Sequence, residues 1–134
     1  MTSQSKPQTN IDHVSLSVSS LDASIEFYSR LFGFQLVERS GNEWGILRSG
    51  DSMICMWQAA GFQAPKALSS HHEIYHFGLR IRDRSAFERQ VAEGKVNVSE
   101  GPVRYPHSTS WYVKDPSGYE VEVAAWDEDR VQFG

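Results

Sequence analysis

The residues of this sequence whose types and spacing could do chemistry are two histidines, His13 and His76, and two carboxylates near the end, Glu120 and Glu122. The histidines open two runs that repeat at an offset of 63 residues, Ile11-Asp12-His13-Val14-Ser15-Leu16-Ser17-Val18 and Ile74-Tyr75-His76-Phe77-Gly78-Leu79-Arg80-Ile81. Each run alternates, the pattern of a strand whose side chains point to opposite faces. Val14, Leu16 and Val18 share one face and His13, Ser15 and Ser17 the other. In the second run Tyr75, Phe77, Leu79 and Ile81 make the apolar face, opposite His76, Gly78 and Arg80.

Residues 119–126 alternate in the same way, with Tyr119, Val121, Val123 and Ala125 on one face and Glu120, Glu122, Ala124 and Trp126 on the other. A carboxylate in the middle of a closing strand is costly to bury, so Glu122 needs solvent, an arginine or a metal. Two imidazoles and a carboxylate give three ligands and leave positions open for water or substrate, as catalytic rather than structural centres do. One strand histidine is more often an ordinary hydrogen-bonded residue. Two at equivalent places in a repeat argue for ligation.

The elements that must position these residues also repeat. After the first strand, Ser20 is placed to cap a helix with Leu21, Ile25, Tyr28 and Phe32 on one face, widened by Phe27 and Leu31 and ended by Gly33. Extended runs follow at 34–38, 44–47 and 53–57, the last two joined by the turn Ser49-Gly50-Asp51-Ser52. The second half repeats the order. A strand at 74–82 leads to Asp83 as cap, a helix from about Ser85 to Glu93 and the stop Gly94. A weaker strand at 95–99 is broken by Glu100-Gly101-Pro102, and strands at 108–113 and 119–125 flank the turn Asp115-Pro116-Ser117-Gly118. The expected division is a loose tail at 1–10, a βαβββ module at 11–57, a connector at 58–73 holding His71 and His72, a second βαβββ module at 74–126, and an acidic tail at 127–134.

Bulk properties narrow the partners. A chain of 134 residues is long enough for a sizeable core, and a net charge of −4 with mixed signs offers no basic patch for nucleic acid. No run of eighteen apolar residues and no apolar N-terminal segment occurs, so neither a membrane span nor a signal peptide is expected. The single cysteine, Cys55, lies in the apolar run Met53-Ile54-Cys55-Met56-Trp57, which excludes an internal disulfide and suits a reducing cytoplasm.

Several segments together resemble the vicinal oxygen chelate superfamily of glyoxalase I, extradiol dioxygenases, fosfomycin-resistance and bleomycin-resistance proteins. They are Ile11-Asp12-His13, Phe27-Tyr28 with Leu31-Phe32-Gly33-Phe34, Tyr75-His76-Phe77, and the closing Asp115-Pro116-Ser117-Gly118-Tyr119-Glu120-Val121-Glu122-Val123. The resemblance covers about residues 10 to 126. It implies an α+β fold of two tandem βαβββ modules whose mixed sheets curl into a cup, and a metal site of His13, His76 and Glu122, the glutamate four residues after the turn glycine. It also implies a small-molecule substrate; two imidazoles and a carboxylate suit one divalent ion, Fe2+, Mn2+, Zn2+, Co2+ or Ni2+, and since such halves complete one another within a chain or across a two-fold dimer, a homodimer is the favoured expectation.

Subfamily differences sharpen the expectation. Glyoxalase I places a fourth ligand, a Glu, on the strand that here reads Met53 to Trp57 without an acid, so a standard glyoxalase I is disfavoured. Bleomycin-resistance binders lack the metal triad, whereas all three positions are filled here. Extradiol dioxygenases carry a substrate-binding Tyr ten residues before the metal Glu, the place of Tyr112, and a second-sphere His nearer positions 103–104, to which His107 is the nearest imidazole. Fosfomycin-resistance proteins have a Tyr and a Ser comparable to Tyr112 and Ser110 and an Arg comparable to Arg130, although their potassium-binding loop has no match. Tyr112 and His107 are thus the expected catalytic partners. Ser15, Arg80 and Ser110 are the expected substrate contacts, with Trp57 as a cavity wall. The expected function is metal-dependent chelation of a small oxygen-bearing substrate with dioxygenase-like features; the alternative is a small-molecule binding or resistance protein.

Overall fold

The computed structural model describes residues 8–64 and 74–132. His71, His72 and most of the expected connector lie outside the described residues. The element order is β1 (His13–Val18), α1 (Leu21–Phe32), β2 (Gln35–Ser40), β3 (Trp44–Ser49), β4 (Ser52–Gln58), β5 (Phe77–Arg80), α2 (Arg84–Ala92), β6 (Val98–Arg104), β7 (Ser108–Lys114) and β8 (Glu120–Trp126). These make two βαβββ modules, each with a four-stranded mixed sheet, in the orders β1-β4-β3-β2 and β5-β8-β7-β6. In both, the first strand pairs in parallel with the last, so the module closes on itself and brings its opening histidine beside its closing strand.

Local chemistry explains the helix positions. The Ser20 side chain accepts a hydrogen bond from the Ala23 N–H, and Gly33, at φ 72°, ends α1 by turning its own N–H back to the Ser29 carbonyl. Leu21, Phe27, Tyr28 and Leu31 are buried beneath α1, each contributing about 2 kcal/mol of apolar burial. Asp83 caps α2 by accepting from the Ala86 N–H.

The core joins the modules through their helices. Phe32 of α1 stacks on Phe87 of α2 with ring centroids 6.4 Å apart, and Phe87 meets Trp111 of β7 edge-on at 5.2 Å. Tyr28, fully buried, stacks towards Phe77 of β5 and donates its hydroxyl to the Asp115 carboxylate at 2.7 Å. The helices therefore cover one face of each sheet, on which Leu16, Val18, Ile54, Val113, Val121 and Val123 are buried. The opposite faces, which carry His13, Ser15 and Trp57 in one module and His76, Tyr112 and Glu122 in the other, are left open.

Two expectations are corrected. The break at Glu100-Gly101-Pro102 does not end a strand: β6 runs through it, and the pairing with β7 shifts register there instead. Gly101 makes this possible, because a Cβ at this position would lie 2.8 Å from the Ser110 carbonyl oxygen and 2.9 Å from the Trp111 Cα. In the second module the strand begins only at Phe77, so Tyr75 is 62 % exposed rather than packed on the apolar face. His76 thus sits immediately ahead of the first ladder pair, Phe77 with Val121.

Gly101→Ala meets fixed backbone at a φ of 116° and is expected to lose on the order of 2 kcal/mol of stability, read by urea denaturation.

Candidate metal centre and cleft

A cleft of about 1340 Å³ opens between the modules, bounded by β1 and β4 on one side and β5 and β8 on the other. His13 and Ser15 line one wall, and His76, Glu120 and Glu122 the other. The parallel register explains the second cluster: Gly78 lies beside Glu122, so the turn into β5 brings the His76 ring over the carboxylates of β8.

His76 Nε2 is 2.9 Å from Glu122 Oε1, and its Nδ1 is 3.4 Å from Glu120 Oε2. The other oxygen of Glu122 accepts the Ser110 hydroxyl at 2.7 Å, which fixes the plane of the carboxylate. Ser110 is completely buried, so this support is rigid. Two ligands at right angles around a cation, with bonds of about 2.1 Å, stand roughly 3 Å apart. The His76 and Glu122 donors already have that spacing. They fit a divalent ion as neighbouring ligands, with Ser110 orienting the carboxylate from outside.

His13 lines the same cleft from the other module, its Nδ1 held 2.8 Å from Asp12 Oδ2. Among the described residues no three His, Cys, Asp or Glu side chains come close enough to enclose one cation. The structure therefore brings together two of the three sequence-derived ligands, with His13 in the lining of the same cleft but outside that pair.

Tyr112, on the same face of β7 as Ser110, meets the His76 ring edge-on with centroids 5.7 Å apart. Its hydroxyl lies 2.8 Å from that of Tyr105, a partner the sequence reading did not single out. The signal was hidden because Tyr105 stands in the turn before β7, and only the hairpin geometry folds it back towards Tyr112. The hydrogen bond to Tyr105, loss of solvent and the negative charge of Glu122 all push the Tyr112 phenol above its usual range. The remaining expected contacts lie elsewhere. His107 is exposed in the turn between β6 and β7, where its carbonyl accepts from the Asp127 N–H. Arg80 is exposed on β5, and Arg130 pairs with Glu128. Trp57, 55 % exposed, leans against Trp44 and lines a smaller groove of about 390 Å³ with Ser15, Ile46 and Cys55.

Paired βαβββ modules, an open cleft between them and a histidine–carboxylate pair on its wall define the class of protein. The chain belongs to the Glyoxalase/Bleomycin resistance protein/Dioxygenase superfamily, which it matches over residues 10–123. It is 24 % identical over 132 residues to the catechol-2,3-dioxygenase of Bacillus subtilis, covering 91 % of this chain but only 45 % of that protein. It is 27 % identical over 127 residues to the metallothiol transferase FosB of Staphylococcus epidermidis, covering 93 % of this chain and 88 % of that one. Its fold is similar to a glyoxalase/dioxygenase structure from Nostoc punctiforme, with a TM-score of 0.73 at 20 % identity over 94 % of this chain and all of that one. Among the described residues no helix is long and apolar enough to cross a membrane.

Three of the five tyrosines, Tyr28, Tyr112 and Tyr119, have raised pKa values, the first and last mainly through burial. A raised value keeps a phenol neutral to higher pH. Near-ultraviolet titration is therefore expected to show these three resisting ionisation around pH 10, where free tyrosine is half-ionised. Tyr105→Phe should release one of them to lower pH.

Proposed function

We propose that this chain is a divalent-metal-dependent enzyme acting on a small substrate with two neighbouring oxygens, in which His76 and Glu122 anchor the ion and His13 completes the ligand set. The observation that carries the reading is the 2.9 Å approach of His76 Nε2 to Glu122 Oε1 on the wall of an open cleft, with Ser110 fixing the carboxylate. When bound, an ion such as Fe2+, Mn2+, Zn2+, Co2+ or Ni2+ supplies Lewis acidity towards the paired substrate oxygens. The chain's own residues do the rest. Tyr112, kept neutral beside His76 with its hydrogen directed to Tyr105, turns its phenol oxygen to accept from a hydroxyl of the ligand, and Tyr105 holds that phenol in place. Apolar groups of the lining, among them Met53, Ile74 and Phe77, strip water from the bound substrate. The place of Tyr112, ten residues before Glu122, favours dioxygenase-like chemistry; the near-complete coverage of a metallothiol transferase keeps thiol transfer among the reactions to assay. A reducing cytoplasm suits the lone thiol of Cys55.

The assembly belongs to the same proposal. Both helix-free sheet faces are open, and Ile11 and Ile74 at the cleft mouth are 91 % and 85 % exposed. We assign these surfaces to a two-fold homodimer in which His13 of a second copy reaches the His76–Glu122 pair. A second reading, a binding or resistance protein without turnover, draws on the apolar groove beside Trp44 and Trp57.

Metal analysis after purification without chelator is expected to find about one ion per chain, falling at least tenfold in Glu122→Ala. Metal-free protein reloaded separately with Fe2+, Mn2+ or Zn2+ should turn over one of catechols, methylglyoxal–thiol adducts or fosfomycin with thiols. Tight ligand binding that survives metal removal, with no turnover, would replace the enzyme by the binder. For the assembly, light scattering at micromolar concentration should return twice the chain mass of 15.2 kDa; a metal-loaded monomer would show that one chain suffices.

A further inference from the structure

Both histidines have a carboxylate on the same side of the ring, although the two carboxylates come from different places in the chain. Asp12 Oδ2 is 2.8 Å from Nδ1 of His13, its neighbour in sequence. The repeat puts Tyr75 where Asp12 stands in the first half, so His76 cannot obtain a carboxylate from its own segment. Glu120 supplies it instead from β8, with Oε2 3.4 Å from His76 Nδ1. In His13 the nitrogen engaged is Nδ1; in His76 both are, Nε2 closely by Glu122 and Nδ1 more loosely by Glu120.

We propose that Asp12 and Glu120 are positioning residues that hold the Nδ1 sides of His13 and His76, so that both imidazoles present Nε2 to a metal ion in the cleft. The inference rests on the metal-dependent reading above. An ionised carboxylate only accepts hydrogen bonds, so in His13 the nitrogen facing Asp12 carries the hydrogen and the other the lone pair; His76 lies between two carboxylates, and an ion taking Glu122 and Nε2 would leave the ring hydrogen on Nδ1, facing Glu120. A metal ligand needs that lone pair, and a fixed ring orientation spares the loss of rotational freedom on loading. A negative partner on the far side of the ring also makes Nε2 the stronger donor. Neither carboxylate needs to touch the ion.

The position of Glu120 supports this role. It lies two residues before Glu122 on the same face of β8, one ladder step from the ligand carboxylate, with Lys114 of β7 directly opposite it. Glu120 is only partly exposed, whereas Asp12 stands out from the surface with 76 % of its side chain accessible. Truncating Asp12 therefore disturbs no packing.

The test uses two independent readouts on the full chain. Long-range proton–nitrogen spectra of the metal-free protein should show His13 with its hydrogen on Nδ1, and Asp12→Ala should shift that ring towards the Nε2–H form. Zn2+ binding followed by calorimetry should weaken about 10- to 100-fold in Asp12→Ala and in Glu120→Ala, with Glu120→Asp recovering part of the loss. Wild-type His13 found as the Nε2–H form, or alanine variants that bind Zn2+ as tightly as the wild type, would overturn the proposal. A wild type that shows the expected tautomer yet binds no Zn2+ would leave the carboxylates as ring-positioning groups and remove the metal-dependent function instead.

Discussion

The hydrogen bond from Tyr28 to Asp115 ties the molecule together. Both groups are buried, one in the middle of α1 and the other at the start of the turn that leads into β8. The same carboxylate accepts the N–H groups of Ser117 and Tyr119 through its second oxygen, so it shapes the turn while anchoring the opposite module. Burial raises the Asp115 carboxyl, and the Tyr28 hydroxyl with the turn amides pulls it back towards the charged form. Ser117 and Tyr119 add further links to Ser19 and to the Ser17 carbonyl of the first module. Because β8 begins just beyond this turn, the placement of Glu120 and Glu122 relative to β1 follows from one buried carboxylate.

That tie also leaves the candidate site on the open side of each sheet. The helices and their aromatic residues occupy the covered sides and meet one another there, so among the described residues the faces with the histidines and carboxylates are left open to a ligand. The charged groups stay near water, which limits the cost of holding acids beside an imidazole. Ser110 is the exception, a buried hydroxyl whose desolvation is compensated by its bond to Glu122.

Much of this was legible in the sequence because period-two alternation is a local property. The alternation correctly separated Leu16 and Val18 from His13, and Val121 and Val123 from Glu122, and the Ser20 and Gly33 signals bounded α1 to the residue. The passage of β6 through Gly101-Pro102 was not legible, since a bulge is tolerated only where the partner strand leaves no room for a side chain, and that is a tertiary fact. The same holds for the phenol pair of Tyr105 and Tyr112, and for the separation of His13 from His76 and Glu122. Strand parity says which way a side chain points, but the distance between two modules depends on how their helices pack.

The ladder registers place Met53 and Cys55 of the first module where the second has Glu120 and Glu122. Identical folds thus carry unlike surfaces: one sheet holds the acids and the other a sulfur-rich, tryptophan-flanked floor. Under the proposed function, the two halves would divide reactivity from recognition. Changes around Trp44, Cys55 and Trp57 can alter which molecules fit without disturbing the residues that would act on them, which gives such a scaffold a route to new substrates that keeps its chemistry intact.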